Sequence, residues 1–203
     1  MQKEINTVEL RNLKIEDYKE LKNSMVKAYS EIDGAYWKET EIRKLLKTFP
    51  EGQLVIVVDG KVIGAALSLI VKYKTAITNH NYEKITGNYT FSTHDPSGEI
   101  LYGIDVFIDP AYRGIRLGRR LYDARKELCE QLNLKSIIFA GRIPNYTENS
   151  NDFTPKEYIE KVKLRDIHDP VLSFQLSNDK LLRRRHQFER LRSFARMEQY
   201  LLR

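Results

Sequence analysis

The sequence predicts one mixed α/β domain followed by a basic helical tail. Three observations support this prediction. The apolar residues change from helical to strand spacing near residue 50, an Asp-Gly turn separates two apolar runs, and a strand–loop–helix–strand segment lies between residues 100 and 141. We place the domain at residues 1–178 and the tail at residues 179–203. Strands that alternate with helices along a chain are typical of an α/β sheet with covering helices.

The first half of the chain alternates between helical and strand patterns. Apolar side chains spaced three or four residues apart predict two helices, and Pro50 ends the second one. After Pro50 the apolar residues run continuously, and the Asp-Gly turn predicts a hairpin of two strands. In chain order we expect a strand at 7–12, a helix at 15–29, a helix around 42–49, and strands at 53–58 and 61–73.

The second half predicts a polar loop and then a strand–helix–strand unit. The turn-like sequence His-Asp-Pro-Ser-Gly favours a loop before the next strand. A Thr-Pro-Lys-Glu sequence later combines a helix cap, a proline at the first helical position and a glutamate three residues on, which predicts a helix start. We expect a loop at 74–98, a strand at 100–108, a helix at 117–132, a strand at 135–141, a loop at 143–153 and a helix from 154; residues 171–177 fit a short strand or an apolar loop.

Composition narrows the class of protein. The chain of 203 residues is 41% hydrophobic and 31% charged, which is ordinary for a soluble protein with a proper core. No window approaches the roughly 20 apolar residues of a membrane span, and the N-terminus has no apolar signal region, so we expect a cytoplasmic protein. The single cysteine, Cys129, fits a reducing compartment and a core position. The four histidines show no metal-ligand spacing, so we predict no metal.

The net charge of +6 is concentrated in the tail. Residues 179–203 hold eight basic and three acidic side chains, so the tail carries +5 and the rest of the chain only +1. Apolar residues at helical spacing predict a basic helix, which we interpret as a solvated surface helix. The alternatives are a contact of this helix with RNA, a membrane surface or another protein. Nucleic acid is not expected as a partner of the domain itself.

The stretch from Asp105 to Leu128 places glycines and arginines where a strand feeds a helix. Such a junction points several backbone N–H groups in one direction, and with the positive end of the helix dipole they form an anion site. Gly114 and Gly118 allow a ligand to approach the backbone. Four arginines, at positions 113, 116, 119 and 120, add positive charge. We expect a phosphate or pyrophosphate ligand, although neither a P-loop nor a dinucleotide fingerprint is present.

The sequence VFIDPAYRGIRLGRRLY resembles the acetyl-CoA-binding motif of the GNAT superfamily of N-acyltransferases. That motif is a buried strand, a D/N-P-x-Y-R turn and a Q/R-x-x-G-x-G/A loop that opens a helix. Here Arg113 and Gly118 take its first and last places, and Arg116 replaces the middle glycine. The resemblance covers about residues 7–142, including the order of strands and helices. More narrowly, the chain is similar to the GNAT domain that precedes a carbon–nitrogen hydrolase domain in some two-domain proteins.

The resemblance implies that acetyl-CoA is the acyl donor and that a primary amine attacks its thioester directly. The donor would lie in a V-shaped opening between the strands at 100–108 and 135–141. GNAT domains end with a helix and two further strands, and here those last two strands are missing from the pattern. The cofactor-binding residues that the resemblance implies are Val106, Phe107, Ile108, Arg113, Gly114, Ile115, Arg116, Leu117, Gly118, Arg119 and Asn178.

A base must take a proton from the attacking amine, because an ammonium has no lone pair. Asp105 is the first candidate, since it is an acid in an apolar strand where burial raises its pKa; the alternative is a structural acid satisfied by an arginine. Glu99 at the start of the strand is the second candidate. Tyr146 is a candidate proton donor or acceptor-pocket residue, or a packed loop tyrosine. His94 fits either an acceptor site or a turn cap.

Together these observations predict an acetyl-CoA-dependent N-acetyltransferase that acts on a small or peptidyl amine. Two alternatives stay open. The first is a GNAT-like module that binds CoA without transferring an acyl group, which the missing strands favour. The second is an adaptor whose basic tail contacts nucleic acid, a partner or a second copy of the chain.

Overall fold

The computed structural model describes residues 5–30, 32, 34–78, 81–139, 143 and 145–176. The chain divides into two compact units, residues 1–137 and residues 138–203, and we describe each by itself. The expected tail helix at 179–203 and the expected CoA contact at Asn178 lie outside the described residues.

The first unit is built on a five-stranded sheet with the strand order β1-β2-β3-β4-β5. The first three neighbouring pairs are antiparallel. The fifth strand begins in this unit, and the backbone N–H of Lys135 just before it donates to the carbonyl of Glu99 at 2.8 Å. The strands are β1 (Val8–Asn12), β2 (Leu54–Val58), β3 (Lys61–Val71), β4 (Ile100–Ile108) and β5 (Ser136–Phe139). The structure confirms the predicted mixed α/β class.

The hairpin of β2 and β3 forms where the sequence predicts it. Asp59 and Gly60 both have left-handed backbone angles, with φ of 49° and 77°, as the tight turn between two twisted strands requires. All of β2 and all of β3 after Lys61 are buried. Strands buried on both faces need elements on both sides of the sheet, and the helices supply them.

Three longer helices cover the sheet: α1 (Tyr18–Ala28), α2 (Glu39–Thr48) and, later in the chain, the helix that follows β4. The segment between β3 and β4 also holds two short helices, α3 (Tyr73–Ile77) and α4 (Tyr82–Ile85). The expectation of a continuous loop at 74–98 is therefore wrong in this part. The Asn81 side chain caps α4 by accepting a hydrogen bond from the Lys84 N–H at 2.9 Å.

The helix after β4 is α5 (Leu117–Gln131), and its apolar face packs on the sheet. Leu117 and Leu121 pack with residues of β2 and β3 in one buried cluster. About two turns after Leu121, Leu128 and Cys129 pack with Leu101 of β4 in a second cluster. Cys129 is 3% exposed, which confirms the expected core position, and burial raises the pKa of its thiol to about 12.

Strand β4 carries one extra residue in its ladder with β3. Leu67 pairs with Asp105, whereas the next β3 residue, Ser68, pairs with Gly103, so Ile104 has no partner of its own. Such a β-bulge bends the strand and re-aims the side chains beside it. The bulge therefore separates the first half of β4 from the half that leads to the arginine-rich junction.

The second unit contains a small helical core. Its elements are α6 (Tyr146–Asn149), α7 (Pro155–Leu164) and a helical segment at 170–176. Thr154 and Glu157 form the predicted capping box at the start of α7. The expectation of a strand or loop at 171–177 is wrong over the described part, because Asp169 caps a helix there and accepts a bond from the Leu172 N–H at 2.8 Å. Within the described residues, no helix is long and apolar enough to cross a membrane.

Candidate functional site

The junction between β4 and α5 has the backbone that an anion site needs. After Asp109, residues 110–112 form a short 3-10 turn, and the chain then passes through two left-handed residues, Gly114 and Arg116, with φ of 85° and 63°. A Cβ atom at Gly114 would meet no heavy atom within 4 Å, so glycine serves the backbone angle there and not close packing. Arg116 occupies the left-handed position at which the GNAT motif has its middle glycine.

Charge at the start of α5 is opposite to that of the other long helices. Among the described residues, the first turns of α1, α2 and α7 each carry at least one acid, whereas the first turn of α5 carries none and holds Arg119 and Arg120. Cations at a helix N-terminus oppose the helix dipole unless an anion lies between them. The Arg116 side chain makes no capping hydrogen bond in the described structure. This arrangement fits a phosphate-bearing ligand.

Asp109 holds the junction in place. Its buried carboxylate accepts a bond from the Ala111 N–H at 3.0 Å and pairs with Lys27 Nζ of α1 at 2.8 Å. Because Asp109 is 3% exposed and both of its oxygens are engaged, its role is to fix the turn.

The end of β4 offers backbone groups on the side away from β3. The Asp109 N–H donates to the Ile63 carbonyl at 2.7 Å, so these two residues form a hydrogen-bonded pair. Bonded and non-bonded pairs alternate in an antiparallel ladder, so Val106 and Ile108 direct their N–H and C=O groups away from β3. The groups expected to pair with an extended pantetheine chain therefore line that edge, whereas the backbone of Phe107, which lies opposite Ala65, faces β3.

Asp105 lies at the bulge, one residue before that edge. Tyr29 Oη donates to its Oδ1 at 2.5 Å, and Trp37 Nε1 donates to its Oδ2 at 3.0 Å. Burial raises the pKa of Asp105, while the bonds from Tyr29 and Trp37 and the charge of Arg125 oppose the rise. In the structure Arg125 donates to the backbone carbonyl of Asp105 and not to its carboxylate. The alternative of a carboxylate bound directly by an arginine is therefore wrong.

An aromatic cluster surrounds the other face of Trp37. The ring centroids of Tyr82, Tyr89 and Phe91 lie 5.6, 5.8 and 5.5 Å from that of Trp37. Tyr89 and Phe91 belong to a turn, residues 87–91, in which four of the five residues have left-handed φ angles and only Gly87 of these four is a glycine. Such angles cost roughly 1–2 kcal/mol for each residue with a side chain. This strained turn holds the aromatic rings beside the residue that bonds Asp105.

Glu99, the second candidate base, lies just before the start of β4, whereas the bulge lies in the middle of that strand. Six positions along a strand separate it from Asp105, a distance of roughly 20 Å. Its backbone carbonyl accepts the bond from Lys135 near the start of β5. The two carboxylates therefore cannot serve the same proton transfer, and Asp105 is the one beside the edge formed by Val106 and Ile108.

His94 and Tyr146 are both engaged in packing. His94 Nδ1 accepts the Ile70 N–H at 3.1 Å, its ring stacks on Phe49 at 5.0 Å, and burial lowers its pKa. The His94 side chain thus bonds to strand β3 and does not cap its own turn. In the second unit, Tyr146 Oη donates to the Phe153 carbonyl at 3.0 Å, and its ring meets Tyr158 edge-on.

Sequence reasoning missed three residues of this site: Tyr29, Trp37 and Arg125. No motif connects them, since they lie in distant parts of the chain and meet only through folding. Of the three, only Arg125 gave a signal in the sequence. It is a charged residue directly after Ala124, on a helix whose apolar face the spacing of the other residues predicts. Among the described residues, no group of His, Cys, Asp or Glu side chains is arranged to hold a metal ion.

The five-stranded sheet and the junction between β4 and α5 are those of the GNAT class of proteins. The sequence model of the acetyltransferase (GNAT) family matches residues 18–154, and the chain belongs to this family. Two solved structures share the fold. The loading GNATL domain of CurA from Lyngbya majuscula superposes with a TM-score of 0.70 at 24% identity, covering 85% of this chain and 83% of that one. The GphF GNAT-like decarboxylase in complex with isobutyryl-CoA superposes with a TM-score of 0.68 at 20% identity, covering 83% and 84%.

Two relatives from Bacillus subtilis (strain 168) are similar in sequence. A "Probable hydrolase YhcX" is 44% identical over 142 residues, which is 70% of this chain and 28% of the relative. An "Uncharacterized N-acetyltransferase YkwB" is 34% identical over 140 residues, which is 69% of this chain and 62% of the relative. The match to the first is consistent with a GNAT domain of the kind that precedes a hydrolase domain. The chain thus spans less than two thirds of the length of either relative.

Proposed function

We propose that the chain transfers an acetyl group from acetyl-CoA to a primary amine, with Asp105 as the general base. The observation that carries this proposal is the position of the Asp105 carboxylate. It lies at the bulge of β4, one residue before the backbone edge of Val106 and Ile108 and on the same strand that leads to the cationic start of α5. A single segment, from β4 to the start of α5, thus holds three groups in order. They are a proton acceptor, a backbone edge for pantetheine and a site for pyrophosphate.

Acetyl-CoA fits the described residues as a co-substrate. In this proposal the N–H groups at the start of α5, at residues 117–119, bind the pyrophosphate, and Gly114 and Gly118 leave room for it. Arg113, Arg116 and Arg119 supply positive charge around it. The pantetheine arm pairs with the edge of β4 and brings the thioester towards the bulge. Asn178 stays a prediction for this site, as does the partner contact through the basic tail.

The reaction proceeds by direct attack of the neutral amine on the thioester carbonyl carbon. The C–N bond forms, the nitrogen becomes cationic, and Asp105 accepts one of its protons. The C–S bond then breaks, the thiolate takes a proton from water to leave as CoA, and Asp105 returns the proton it accepted to the solvent. The products are an N-acetyl amide and free CoA, so atoms and charges balance without a metal.

The acceptor amine binds, in this proposal, on the side of Asp105 where Trp37 and its aromatic neighbours lie. Tyr82 and Tyr89 are half-buried, so parts of both rings are open to solvent. We place the reaction in the cytoplasm, because the single cysteine is a buried free thiol and acetyl-CoA is supplied inside cells.

Thiol release with a panel of amines tests the proposal. We expect release with at least one amine, and a loss of at least a hundredfold in kcat/KM in Asp105→Asn, because the proton acceptor is gone. Glu99→Gln is the matched control from the same strand and should retain activity. Gly118→Trp should abolish acetyl-CoA binding measured by calorimetry. No release with any amine, although acetyl-CoA binds, would reject the catalytic proposal.

One observation favours the second candidate, a CoA-binding module that transfers nothing. Both carboxylate oxygens of Asp105 already accept hydrogen bonds, from Tyr29 and from Trp37, which is what a structural acid does. In that case Gly118→Trp still abolishes acetyl-CoA binding. Asp105→Asn changes the stability of the protein, and neither the wild type nor the variant transfers an acetyl group. The amine panel separates these two functions.

A further inference from the structure

Arg125 is a buried cation on the face of α5 that packs against the sheet. It is 1% exposed, and it has no part in the anion site at the start of the helix. Moving a guanidinium from water into a protein core is unfavourable unless hydrogen bonds and a nearby negative charge compensate it. The partners of Arg125 therefore indicate what its burial serves.

The guanidinium of Arg125 bridges β3 and β4 at the bulge. Its Nε donates to Ser68 Oγ at 3.1 Å, and one terminal nitrogen donates to the Leu67 carbonyl at 2.6 Å. The same nitrogen donates to the backbone carbonyl of Asp105. Leu67 and Ser68 are the two residues between which the register of the ladder shifts. Arg125 thus supplies hydrogen-bond donors where the bulge interrupts the ladder.

The electrostatic surroundings join Arg125 to Asp105. Burial lowers the pKa of Arg125, and interactions with Tyr122, Asp105 and Tyr29 oppose this. Burial has the reverse effect on Asp105 and raises its pKa, and the hydrogen bonds from Tyr29 and Trp37 and the charge of Arg125 oppose that rise. The titratable groups that face Asp105 are therefore Tyr29, from the end of α1, and Arg125, from α5.

We propose that Arg125 is the positioning residue of this site: it locks the bulge that orients the Asp105 carboxylate, and its positive charge favours the ionised form of that carboxylate, which is the form that accepts a proton. The hydrogen bonds of Arg125 to β3 and β4 and its charge near Asp105 are properties of the fold. Their role in catalysis rests on the proposed function, in which Asp105 is the base. Arg125 itself contacts neither substrate and acts through Asp105.

The first experiment measures the Asp105 carboxyl directly, without reference to catalysis. Protein labelled with ¹³C at the aspartate carboxyls is titrated by NMR, and Asp105→Asn assigns the resonance. In Arg125→Met we expect the pKa of Asp105 to rise by about one unit, a tenfold gain in proton affinity, because the countercharge is gone. In Arg125→Lys, which keeps the charge, we expect the pKa to stay within a few tenths of a unit of the wild-type value. An unchanged pKa in folded Arg125→Met would overturn the proposal.

The second experiment separates positioning from ordinary stabilisation. Leu128→Ala is the matched control, because it also removes a buried side chain from α5. The Leu128 side chain packs with Leu101 and lies away from the bulge. In Arg125→Met the acidic limb of the kcat/KM profile should move to higher pH together with the Asp105 pKa. In Leu128→Ala the limb should stay in place. A loss of rate in Arg125→Met that is equal at every pH, as in the control, would mean a structural role only and would overturn the proposal.

Ser68→Ala keeps the test decisive if Arg125→Met does not fold. It removes only the acceptor for Arg125 Nε and leaves the charge and most of the packing in place. We expect a lowered kcat with little change in the KM for acetyl-CoA, because Asp105 is less well oriented. Full activity and wild-type amide shifts at Gly103 and Ile104 would contradict the bridge.

Failure of this inference and failure of the proposed function give different results. If the Asp105 pKa responds to Arg125→Met but Asp105→Asn stays fully active, the countercharge is supported and the assignment of Asp105 as the base is wrong. If Asp105→Asn is inactive but the pKa of Asp105 is the same in Arg125→Met as in the wild type, the assignment of the base is supported and the role of Arg125 is wrong.

Discussion

Tyr29, the residue that closes α1, donates a 2.5 Å hydrogen bond to Asp105 in the middle of β4. The two residues are 76 positions apart in the chain, so the bond exists only in the folded protein. It stabilises the ionised carboxylate and lowers its pKa, whereas burial, the larger effect, raises the pKa. The net rise makes Asp105 easier to protonate in the folded chain than in the unfolded chain.

This net rise predicts that Asp105 makes the protein less stable as pH increases. The contribution of Asp105 to stability is fully present below the ordinary pKa of 3.8, where folded and unfolded chains are both protonated. It is lost as pH rises through the higher pKa of the folded state, because the unfolded chain releases its proton first. The Tm difference between wild type and Asp105→Asn should therefore shrink with rising pH and then level off. A difference that is constant across the acidic range would contradict this.

Arg116 predicts an unusual gain in stability on substitution by glycine. Its φ of 63° is a left-handed angle that costs free energy in a residue with a Cβ atom. We expect Arg116→Gly to raise the free energy of unfolding by about 0.5–1 kcal/mol, after the greater entropy of glycine in the unfolded chain is included. Chemical denaturation measures this.

Arg113→Gly is the control for that substitution. It removes the same charge from the same loop, but Arg113 has an ordinary extended backbone with φ of −74° and ψ of 163°. Glycine should therefore lower the free energy of unfolding there, by about 0.5–1 kcal/mol. Changes of the same sign in both variants would show that charge, and not backbone strain, determines the effect.

The cationic start of α5 predicts a binding constant that depends on salt. Arg113→Gln and Arg119→Gln should each weaken acetyl-CoA binding by about two- to fivefold at low ionic strength, with a smaller effect at high salt because exposed charges are screened. Calorimetry at two salt concentrations measures this. Arg43→Gln is the control, since Arg43 is exposed and paired with Glu39 on α2. Equal affinities in all three variants would argue against a pyrophosphate site at this junction.

The aromatic cluster predicts a separation between the two substrates. Tyr89→Ala removes a ring that packs edge-on against Trp37, an interaction of about 0.5–1.5 kcal/mol. We expect the KM for the amine to rise several-fold, while the Kd for acetyl-CoA stays unchanged. Tyr73→Ala, at an exposed tyrosine of the same connection between β3 and β4, should leave both constants as they are. An effect on acetyl-CoA alone would place the cluster on the donor side.

Much of the fold follows from local patterns in the sequence. The β2–β3 hairpin was predictable because Asp59-Gly60 accepts the left-handed angles of a tight turn, and α5 because its apolar residues repeat at helical spacing. The helix at 170–176 was not predictable in the same way. Its apolar residues fit a strand, a loop or a helix. The helix is favoured by the cap that the Asp169 side chain forms, and the sequence alone does not give the orientation of that side chain.

The sequence by itself determined the junction between β4 and α5, because it is built from one continuous stretch in which a strand, a glycine-bearing loop and an arginine-rich helix follow in order. Its geometry depends on local backbone angles and on the helix dipole. Only the tertiary structure decided the surroundings of Asp105. Tyr29 follows α1, Trp37 precedes α2 and Arg125 belongs to α5, and all three meet Asp105 at the bulge, where the pairing of β3 and β4 shifts by one residue. Burial, hydrogen bonds and countercharge act over a few ångströms in space, so the ionisation of Asp105 depends on distances that only the fold creates.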